Sequence, residues 1–429
     1  MNSATPLSIS RYYPKGTTYF YQFPSGKDSG FFNPYVLAWQ EILGAARMLV
    51  YAGDAVKVVT FAQSADTESR YLLETLMGTK LSHVKNMVVL PKKIDDKVFG
   101  QRRDNLIKKS LKSLIKKKSL IMSQPYIDDE IEKLYQFPSK ITFRLNDKLS
   151  LPDFVPKEHL PKKYKNFKNG RDFHAENFKI PFPCVVKISS SCAGDGVRIC
   201  RNVSDFSRAK NDFSKAVHSV IVEEFIEEKL NIGVQFGIPY DKKKSIDIIG
   251  FNQQFIDNDG NYLGGIINPK KKIPVLSKIY KTLKEDILPK ARKFGWYGIG
   301  GMDVLIDRKN NFYFIDPNFR ATAVFPYICI AHNEGITKSM ITLTGFYKKS
   351  KSEFMKNVLP LARPGSKQLL KVIVLIKTST GFRFNAGVFF KSTKELAKNA
   401  DRLLSLGVKS SVLERIVSSF KAGKLSGLV

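Results

Sequence analysis

The 429-residue sequence predicts a mixed α/β and α+β protein built from three lobes. Its mass of 48.5 kDa exceeds what a single core usually fills, and 43% hydrophobic residues with 12% aromatics are typical of globular chains. The first third alternates strand and helix patterns, whereas short strands with glycine-rich turns begin near residue 141. We therefore expect an open α/β lobe over 1–140, a hairpin-rich lobe over 141–346 and a small α/β lobe over 347–429.

The first lobe has the pattern of an open sheet with parallel strands. Apolar runs predict strands at 17–24, 55–61 and 86–90, and helical periodicity predicts helices at 38–51 and 71–77. Strands that alternate with helices favour parallel pairing, because each helix carries the chain back to the same edge of the sheet.

The second lobe reads as strands and hairpins, and the third as a strand pair followed by helices. A proline at position 289 predicts a kink in an otherwise amphipathic helix. The expected strands are 185–188, 197–200, 219–225, 232–238 and 246–256, followed by a helix at 276–294, a hairpin at 301–317, a Lys/Ser-rich linker from 347 and helices at 393–406 and 411–424.

The charge balance restricts the class of partner. Seventy Lys and Arg against 39 Asp and Glu give a net charge of +31, which attracts acidic partners. The lysines are spread in short clusters rather than interleaved with aromatics, which disfavours nucleic acid and leaves an acidic protein or a phosphate-rich substrate open. The densest cluster, at 108–118, also fits an amphipathic helix with a solvated basic face.

The remaining composition predicts a cytoplasmic protein. No apolar run reaches the roughly 18 residues that a membrane-spanning helix needs, and residues 1–16 lack the apolar segment of a signal peptide. The four cysteines include no CxxC pair, so we expect reduced thiols.

The hairpin GMDVLIDRKNNFYFIDPNFRAT, residues 301–322, brings acidic residues together. If Lys309 and Asn310 form a two-residue turn, Asp303 lies opposite Asp316, and Leu305 lies opposite Phe314. The period of two along a strand then puts Asn318 and Arg320 on the face that carries Asp316.

Facing carboxylates repel each other and call for a cation. Mg²⁺ prefers oxygen ligands and is often bound by one or two carboxylates together with substrate phosphates. The sequence therefore predicts a Mg²⁺ site at Asp303, Asp316 and Asn318, with Mn²⁺ as the alternative metal. Arg320 adds a planar guanidinium for an anionic group. An exposed hairpin with fortuitous acids is the competing interpretation.

A second segment suggests phosphate binding. In PFPCVVKISSSCAGDGVRIC, residues 181–200, a strand ends with Lys187, and a loop containing Ser190, Ser191, Gly194 and Gly196 follows. Glycines let backbone amides approach phosphate oxygens. The loop lacks the GK[ST] ending of a Walker motif and does not open a helix, so it is neither a P-loop nor a dinucleotide fingerprint.

The order of the motifs resembles the ATP-grasp superfamily. NDK at 146–148, VVK at 185–187, the Gly/Ser loop, EEFI at 223–226, GMD at 301–303 and IDPNFR at 315–320 follow its pattern over roughly 140–345. The resemblance implies an ATP-grasp fold preceded by a pre-ATP-grasp α/β lobe. It also implies ATP and Mg²⁺ as ligands.

The resemblance assigns roles to individual residues. Lys148 and Lys187 would contact the phosphates, 189–196 would close over them, and Arg320 would face the acyl phosphate or the carboxylate substrate. Glu223, Glu224 and Ile226 would line the adenine pocket. Two positions depart from the common pattern: Asn231 stands where many members carry an acid, and Asp316 replaces the more common Glu.

The implied chemistry is ligation through an acyl phosphate. The segment 252–269 is similar to pheganomycin-type peptide ligases and related carboxylate–amine ligases, which predicts small-molecule or peptide carboxylate and amine substrates, with Gln253, Gln254 and Asn268 as candidate contacts. An acidic carrier protein is a further candidate partner, and the oligomeric state, a homodimer included, stays open. The alternative is a basic polyanion- or carrier-protein-binding protein with a regulatory or degenerate ATP-grasp site.

Overall fold

The computed structural model describes residues 6–22, 34–82, 84–191, 196–256 and 262–423. Its strands are β1 (Thr18–Phe20), β2 (Lys57–Thr60), β3 (Met87–Val89), β4 (Leu120–Met122), β5 (Lys163–Phe167), β6 (Cys184–Ile188), β7 (Val197–Cys200), β8 (Val220–Glu224), β9 (Glu228–Ile238), β10 (Asp247–Ile256), β11 (Tyr262–Ile267), β12 (Gly298–Asp307), β13 (Phe312–Asn318), β14 (Ser339–Tyr347), β15 (Leu370–Thr378), β16 (Gly381–Phe390) and β17 (Val408–Lys409).

The helices frame these strands on both sides. They are α1 (Pro34–Arg47), α2 (Thr67–Tyr71), α3 (Gly100–Leu114), α4 (Asp129–Glu132), α5 (Ser139–Asn146), α6 (Leu151–Phe154), α7 (Gly170–Ala175), α8 (Val203–Phe213), α9 (Leu276–Thr282), α10 (Leu288–Lys293), α11 (Phe325–Asn333), α12 (Lys351–Asn357), α13 (Leu359–Ala362), α14 (Thr393–Ser405) and α15 (Ser411–Lys421). None of the helices within the described ranges is both long and apolar enough to cross a bilayer.

The first lobe contains the predicted parallel sheet. Its order is β3-β2-β1-β4, and every neighbouring pair is parallel. The three predicted strands and the first helix are confirmed. Strand β4 was not predicted, because it follows directly on the basic cluster at 108–118, whose pattern is helical.

The second lobe is built from two sheets that face each other across a cleft. A small antiparallel sheet has the order β5-β8-β6-β7. A long antiparallel sheet contributes β13-β12-β9-β10-β11, with β12 against β9 as its most extended pairing. The backbone amide of Lys148 donates to the carbonyl of Ser189 at 3.0 Å, which ties the segment after α5 to the end of β6.

The third lobe continues the long sheet. Strands β14, β16 and β15 follow β11 in one sheet of nine strands, and β17 pairs with β14. The predicted linker at 347–353 becomes helical at Lys351, because Ser350 and Glu353 form a capping box. The final helices lie where they were predicted.

The kink expected at Pro289 takes the form of a π-helical turn. Helix α9 runs through a π turn at Leu283–Ile287 into α10, whose second residue is Pro289. The wider turn accommodates the missing amide of the proline without ending the helix.

Tyrosines of the first lobe attach it to the long sheet. The hydroxyl of Tyr13 accepts from the amide of Ile299 at 3.2 Å, and the hydroxyl of Tyr19 accepts from the amide of Ala321 at 3.2 Å. All three of Tyr13, Tyr19 and Ile299 are buried. The second bond holds the chain just after β13 against β1, which positions the neighbouring Arg320.

Candidate functional site

A cavity of 590 Å³ lies where the small sheet, the long sheet and the first lobe meet. Most of the predicted site residues line it: Lys148, Lys187, Ser191, Glu223, Glu224, Ile226, Asn231, Asp303, Asp316, Asn318 and Arg320. Ser190 and Gly196 lie outside the lining, and Gly194 lies outside the described residues. The fold thus brings together predicted site residues that lie up to 172 positions apart in the sequence, from Lys148 to Arg320.

The two acidic residues of the hairpin face each other as predicted, but for a different reason. Asp303 is the partner of Asp316, whereas Leu305 pairs with Tyr313 and not with Phe314. The predicted two-residue turn is wrong. The amide of Asp307 donates to the carbonyl of Asn311, which leaves a three-residue turn that ends with Asn310 at φ 64°.

A β-bulge restores the register that this longer turn would shift. Asp303 pairs with Asp316 but Val304 pairs with Phe314, so Ile315 is an extra residue on β13. Without the bulge, Ile315 would lie opposite Asp303, and Asp316 would point to the other side of the sheet. The backbone carbonyl of Ile315 accepts a hydrogen bond from Lys187 Nζ at 3.3 Å.

The surroundings of the two facing carboxylates make it costly to ionise both of them. Burial raises the pKa of Asp303 to about 7, and the charge of Asp316 adds to the rise, while a hydrogen bond from Gln254 opposes it. Lys148 Nζ lies 2.9 Å from Asp316 Oδ1 and neutralises one of the two charges. The charge of Arg320 also favours the ionised form of Asp303, which makes no ion pair within the described ranges.

This donor set suits a divalent cation that also binds phosphate. Among the described residues, no group of three or more His, Cys, Asp or Glu could hold a metal on its own. Two carboxylates and the buried amide of Asn318, which lies on the same face of β13 as Asp316, leave coordination positions for ligand oxygens. The residues at 303, 316 and 318 fit Mg²⁺ better than Zn²⁺, which prefers nitrogen and sulfur.

The small sheet supplies a second buried ion pair. Lys187 Nζ lies 2.5 Å from Glu223 Oε1, with both side chains almost fully buried. Strands β6 and β8 place Lys187 and Glu223 on adjacent rows of the same face. In this arrangement the lysine is held at the cavity by a carboxylate and by the Ile315 carbonyl, and its remaining proton can donate to a ligand oxygen.

The segment after β8 forms an apolar slot. The Glu224 carboxylate accepts from the amide of Lys162 at 2.7 Å, which engages one of its two oxygens. Glu223, Glu224 and Ile226 all line the cavity. The slot is lined by Pro161, Val185, Ile199, Phe225, Ile226, Leu305 and Ile315.

A bulge on β9 adds an acid that the motif comparison missed. Ile306 pairs with Leu230 and Asp307 with Glu228, so Lys229 is an extra residue, and both Glu228 and Asn231 line the cavity. Partial burial raises the pKa of the Glu228 carboxyl. The oxygen Oδ1 of Asn231 is buried without a partner in the described part of the chain. The acid run EEFIEE was the signal in the sequence.

Uncharged polar side chains form the floor beside Asp303. Gln235 Nε2 donates to Asn252 Oδ1 at 3.3 Å, and Thr322 Oγ1 donates to Gln235 Oε1 at 2.7 Å. A methyl group on Gly233 would lie 2.9 Å from Asn252 Oδ1 and 3.3 Å from Asp303 Oδ1, so only glycine lets these atoms approach. Sequence reasoning missed this layer because isolated amides in strands carry no motif.

The three candidate substrate contacts of 252–269 separate in the structure. Gln254 lines the cavity next to Asp303, whereas Gln253 accepts from Lys271 Nζ at 2.7 Å and Asn268 caps the turn at Lys270. Gln253 and Asn268 are therefore not part of the cavity wall. Residues 257–261 of this hairpin lie outside the described residues.

Arg320 is a cation of the cavity lining that makes no ion pair among the described residues, although its charge acts on Asp303. It lines the cavity, and its Nε is buried with no hydrogen-bond partner among the residues described. An unpaired guanidinium fits a carboxylate or phosphate of a ligand.

Comparison with known proteins agrees with this geometry. Residues 163–318 match the family model described as "L-aspartate--L-methionine ligase, ATP grasp". The chain is similar to the 2-oxoglutarate carboxylase small subunit of Hydrogenobacter thermophilus, at 28% identity over 34% of this chain and 32% of that protein. It is also similar to the D-alanine--D-alanine ligase of Geotalea uraniireducens, at 26% identity over 36% of this chain and 49% of that protein. The chain thus spans about a third of the first relative and about half of the second.

A similarity to solved structures covers nearly the whole chain. N5-carboxyaminoimidazole synthetase from Staphylococcus aureus, solved with ADP, superposes with a TM-score of 0.53 and 11% identity. The superposition includes 92% of this chain and 98% of that one. The architecture, including the first lobe and the continuation of the long sheet, is therefore shared at low sequence identity.

Proposed function

We propose that this chain, which has the ATP-grasp fold, is an ATP-dependent carboxylate–amine ligase that forms an acyl phosphate. The observation that carries the proposal is the facing pair Asp303–Asp316, with Lys148 and the unpaired Arg320 around it, at one end of a cavity whose other end is an apolar slot. Such a cavity matches a ligand with a flat apolar base and a chain of phosphates.

The nucleotide end would hold ATP through groups already in place. The slot at 225–226 would take the adenine, Asn231 and Glu228 the sugar hydroxyls, and Lys148 and Lys187 the phosphates. Mg²⁺ at Asp303, Asp316 and Asn318 would neutralise the phosphate oxygens when bound. Phosphoryl transfer requires positive charge around the phosphates, and Lys148 and Lys187 would supply it.

In this reaction the chain positions the reactants and forms no covalent bond with them. A substrate carboxylate oxygen attacks the γ-phosphorus, the bond to the β-phosphate oxygen breaks, and ADP leaves. Arg320 would hold this carboxylate in line through its planar donor pair. The amine nitrogen then attacks the acyl carbon, and the C–O bond to phosphate breaks. Phosphate leaves with the electron pair, and the amine proton passes to it.

Amino acids are the first substrates to test. The matching family model and the D-alanine ligase relative are both named for enzymes that join two amino acids. Residues of the first lobe, Tyr21, Gln22 and Gln124, line the same cavity as Arg320. An acidic carrier protein remains a second form in which either substrate could be presented.

The test is ADP release in the presence of Mg²⁺-ATP and pairs of amino acids, including L-aspartate with L-methionine. Sustained ADP release, beyond one turnover, should require both a carboxylate and an amine, and Asp316→Ala and Lys187→Ala should abolish it. Arg308→Ala is the matched control, because Arg308 lies in the turn of the same hairpin and is exposed. Equal ATP turnover by the parent and both site variants would exclude the assigned site.

The same experiment separates the ligase from a binding protein. A protein that uses ATP only as a regulatory ligand would bind it without releasing ADP in response to any pair of substrates. ATP binding with no substrate-dependent ADP across the amino acids would therefore favour that alternative.

A further inference from the structure

Lys148 is paired with one of the residues proposed to hold the metal. Its Nζ lies 2.9 Å from Asp316 Oδ1, and its side chain is only 4% exposed. The charge of Lys148 also favours the ionised form of Asp303. One ammonium group therefore offsets part of the negative charge with which the two facing carboxylates would attract a metal ion.

The other lysine of the cavity has a different partner. Lys187 pairs with Glu223, which stands on β8 of the small sheet and is not among the proposed metal ligands. Lys187 Nζ also donates to the main-chain carbonyl of Ile315. Of the two lysines proposed to bind the phosphates, Lys148 is thus the one whose ion pair engages a metal ligand.

The main chain around Lys148 is attached to both sheets of the second lobe. The amide of Lys148 donates to the carbonyl of Ser189 at 3.0 Å, just after β6. Two residues earlier in the chain, Asn146 Oδ1 accepts from the amide of Phe319 at 2.9 Å, just after β13. Because these bonds hold the main chain at both sheets, Lys148 can change its partner by rotation about its side-chain bonds alone.

An ammonium group and a divalent cation compete for the same carboxylate. With Lys148 at hydrogen-bond distance from Asp316, a metal on that carboxylate would lie within a few ångströms of a like charge and be repelled. Phosphates offer the ammonium group an alternative anionic partner in the same cavity. A nucleotide that binds there can therefore draw Lys148 away from Asp316.

We infer that Lys148 blocks the metal site until a nucleotide binds: its ion pair with Asp316 keeps free divalent cations out, and the phosphates open the site by taking over the ammonium group. The inference rests on the nucleotide site of the proposed function and adds an order of binding to it. The metal enters with the phosphates or after them. In this role Lys148 is a positioning residue, because it acts on the metal through Asp316.

The test measures the binding of Mn²⁺ alone, without nucleotide, from the loss of the EPR signal of free Mn²⁺. Lys148→Met should bind Mn²⁺ at least about tenfold more tightly than the parent, because the competing charge is gone and both carboxylates remain. Lys148→Arg keeps the charge and should bind Mn²⁺ as weakly as the parent. Lys309→Met is the matched control, because it removes an exposed lysine from the turn of the same hairpin, and it should also match the parent.

The affinity for ADP separates this role from a merely structural one. In EDTA, ADP should bind Lys148→Met several-fold more weakly than the parent, because a contact with a phosphate is lost. Lys148→Met therefore has opposite effects on the two ligands, whereas a disturbed site would weaken the binding of both.

Two results would overturn the inference. One is Mn²⁺ binding by Lys148→Met that is no tighter than that of the parent, and the other is an equal gain in Lys309→Met, which would trace the effect to overall charge. Lys148→Gln is also uncharged and carries the same expectations, so the test stays decisive if Lys148→Met fails to fold. None of these measurements needs turnover. A parent that releases no ADP with any pair of substrates would thus count against the proposed function and leave this inference standing.

Discussion

Replacing Asp303 with asparagine is expected to stabilise the metal-free protein at pH 8. Burial raises the pKa of this carboxyl from 3.8 to about 7, so the folded protein holds an ionised Asp303 at pH 8 only at a cost. A shift of about three units corresponds to about 4 kcal/mol when the group is fully ionised in both states. Asparagine has nearly the same shape and no charge, so Asp303→Asn should recover up to about this amount.

The sign of the pH dependence follows from the direction of the shift. A protein that contains a carboxyl whose folded pKa lies above its unfolded value loses stability as the pH rises between the two values, because the unfolded state releases its proton in this range while the folded state still holds it. At pH 5 the folded protein keeps this proton, and the penalty is only about 2 kcal/mol. The advantage of Asp303→Asn should therefore be larger at pH 8 than at pH 5, by about 2–3 kcal/mol.

The assay is urea unfolding of the parent and Asp303→Asn in EDTA at both pH values. Asp307→Asn on the same strand is the matched control with the opposite expectation. Its slight burial is outweighed by hydrogen bonds from Asn311 and the amide of Lys309, which lower the pKa of Asp307, so this variant should lose stability at pH 8. Mg²⁺ with ADP should stabilise the parent far more than Asp303→Asn. An Asp303→Asn protein less stable than the parent at pH 8, or a difference independent of pH, would refute the reasoning.

Two further predictions concern the hairpin and the nucleotide end. Asn310→Ala should destabilise the protein by about 1 kcal/mol in urea unfolding, because alanine tolerates φ 64° less well than asparagine. Asn310→Gly should not destabilise it. Equal losses in both variants would mean that the asparagine side chain, rather than the backbone conformation, matters. Glu228→Gln should raise the KM for ATP several-fold with little change in kcat, because a carboxylate binds sugar hydroxyls more strongly than an amide does; an unchanged KM would remove Glu228 from the nucleotide site.

The sequence predicted the parts of the site that depend on order and local periodicity. Lys187, Glu223 and the acids of the hairpin stand in strands, where alternation decides which face each one shares. Lys148 lies in a short helical turn after α5 and was predicted from the order of the motifs. The parallel sheet of the first lobe was predictable for the same reason. These features need only the period of two and the direction of the chain.

What sequence reasoning missed depends on irregularity or on contact between distant segments. The bulges on β9 and β13 each change which side chains face the cavity, and no residue type marks them in advance. Gln22 and Tyr262 line one cavity only because the first lobe packs against the long sheet. Contacts between segments so far apart in the sequence carry no local pattern.

The bulge at Ile315 also contributes to the site through its main chain, which side-chain substitutions leave in place. The carbonyl of residue 315 belongs to this bulge and accepts a hydrogen bond from Lys187. Every amino acid carries the same carbonyl, so a substitution scan would score position 315 as an ordinary apolar residue whatever its carbonyl does. Only a change of chain length on β13, or an ester in place of the peptide bond, would expose a contribution that belongs to the main chain itself.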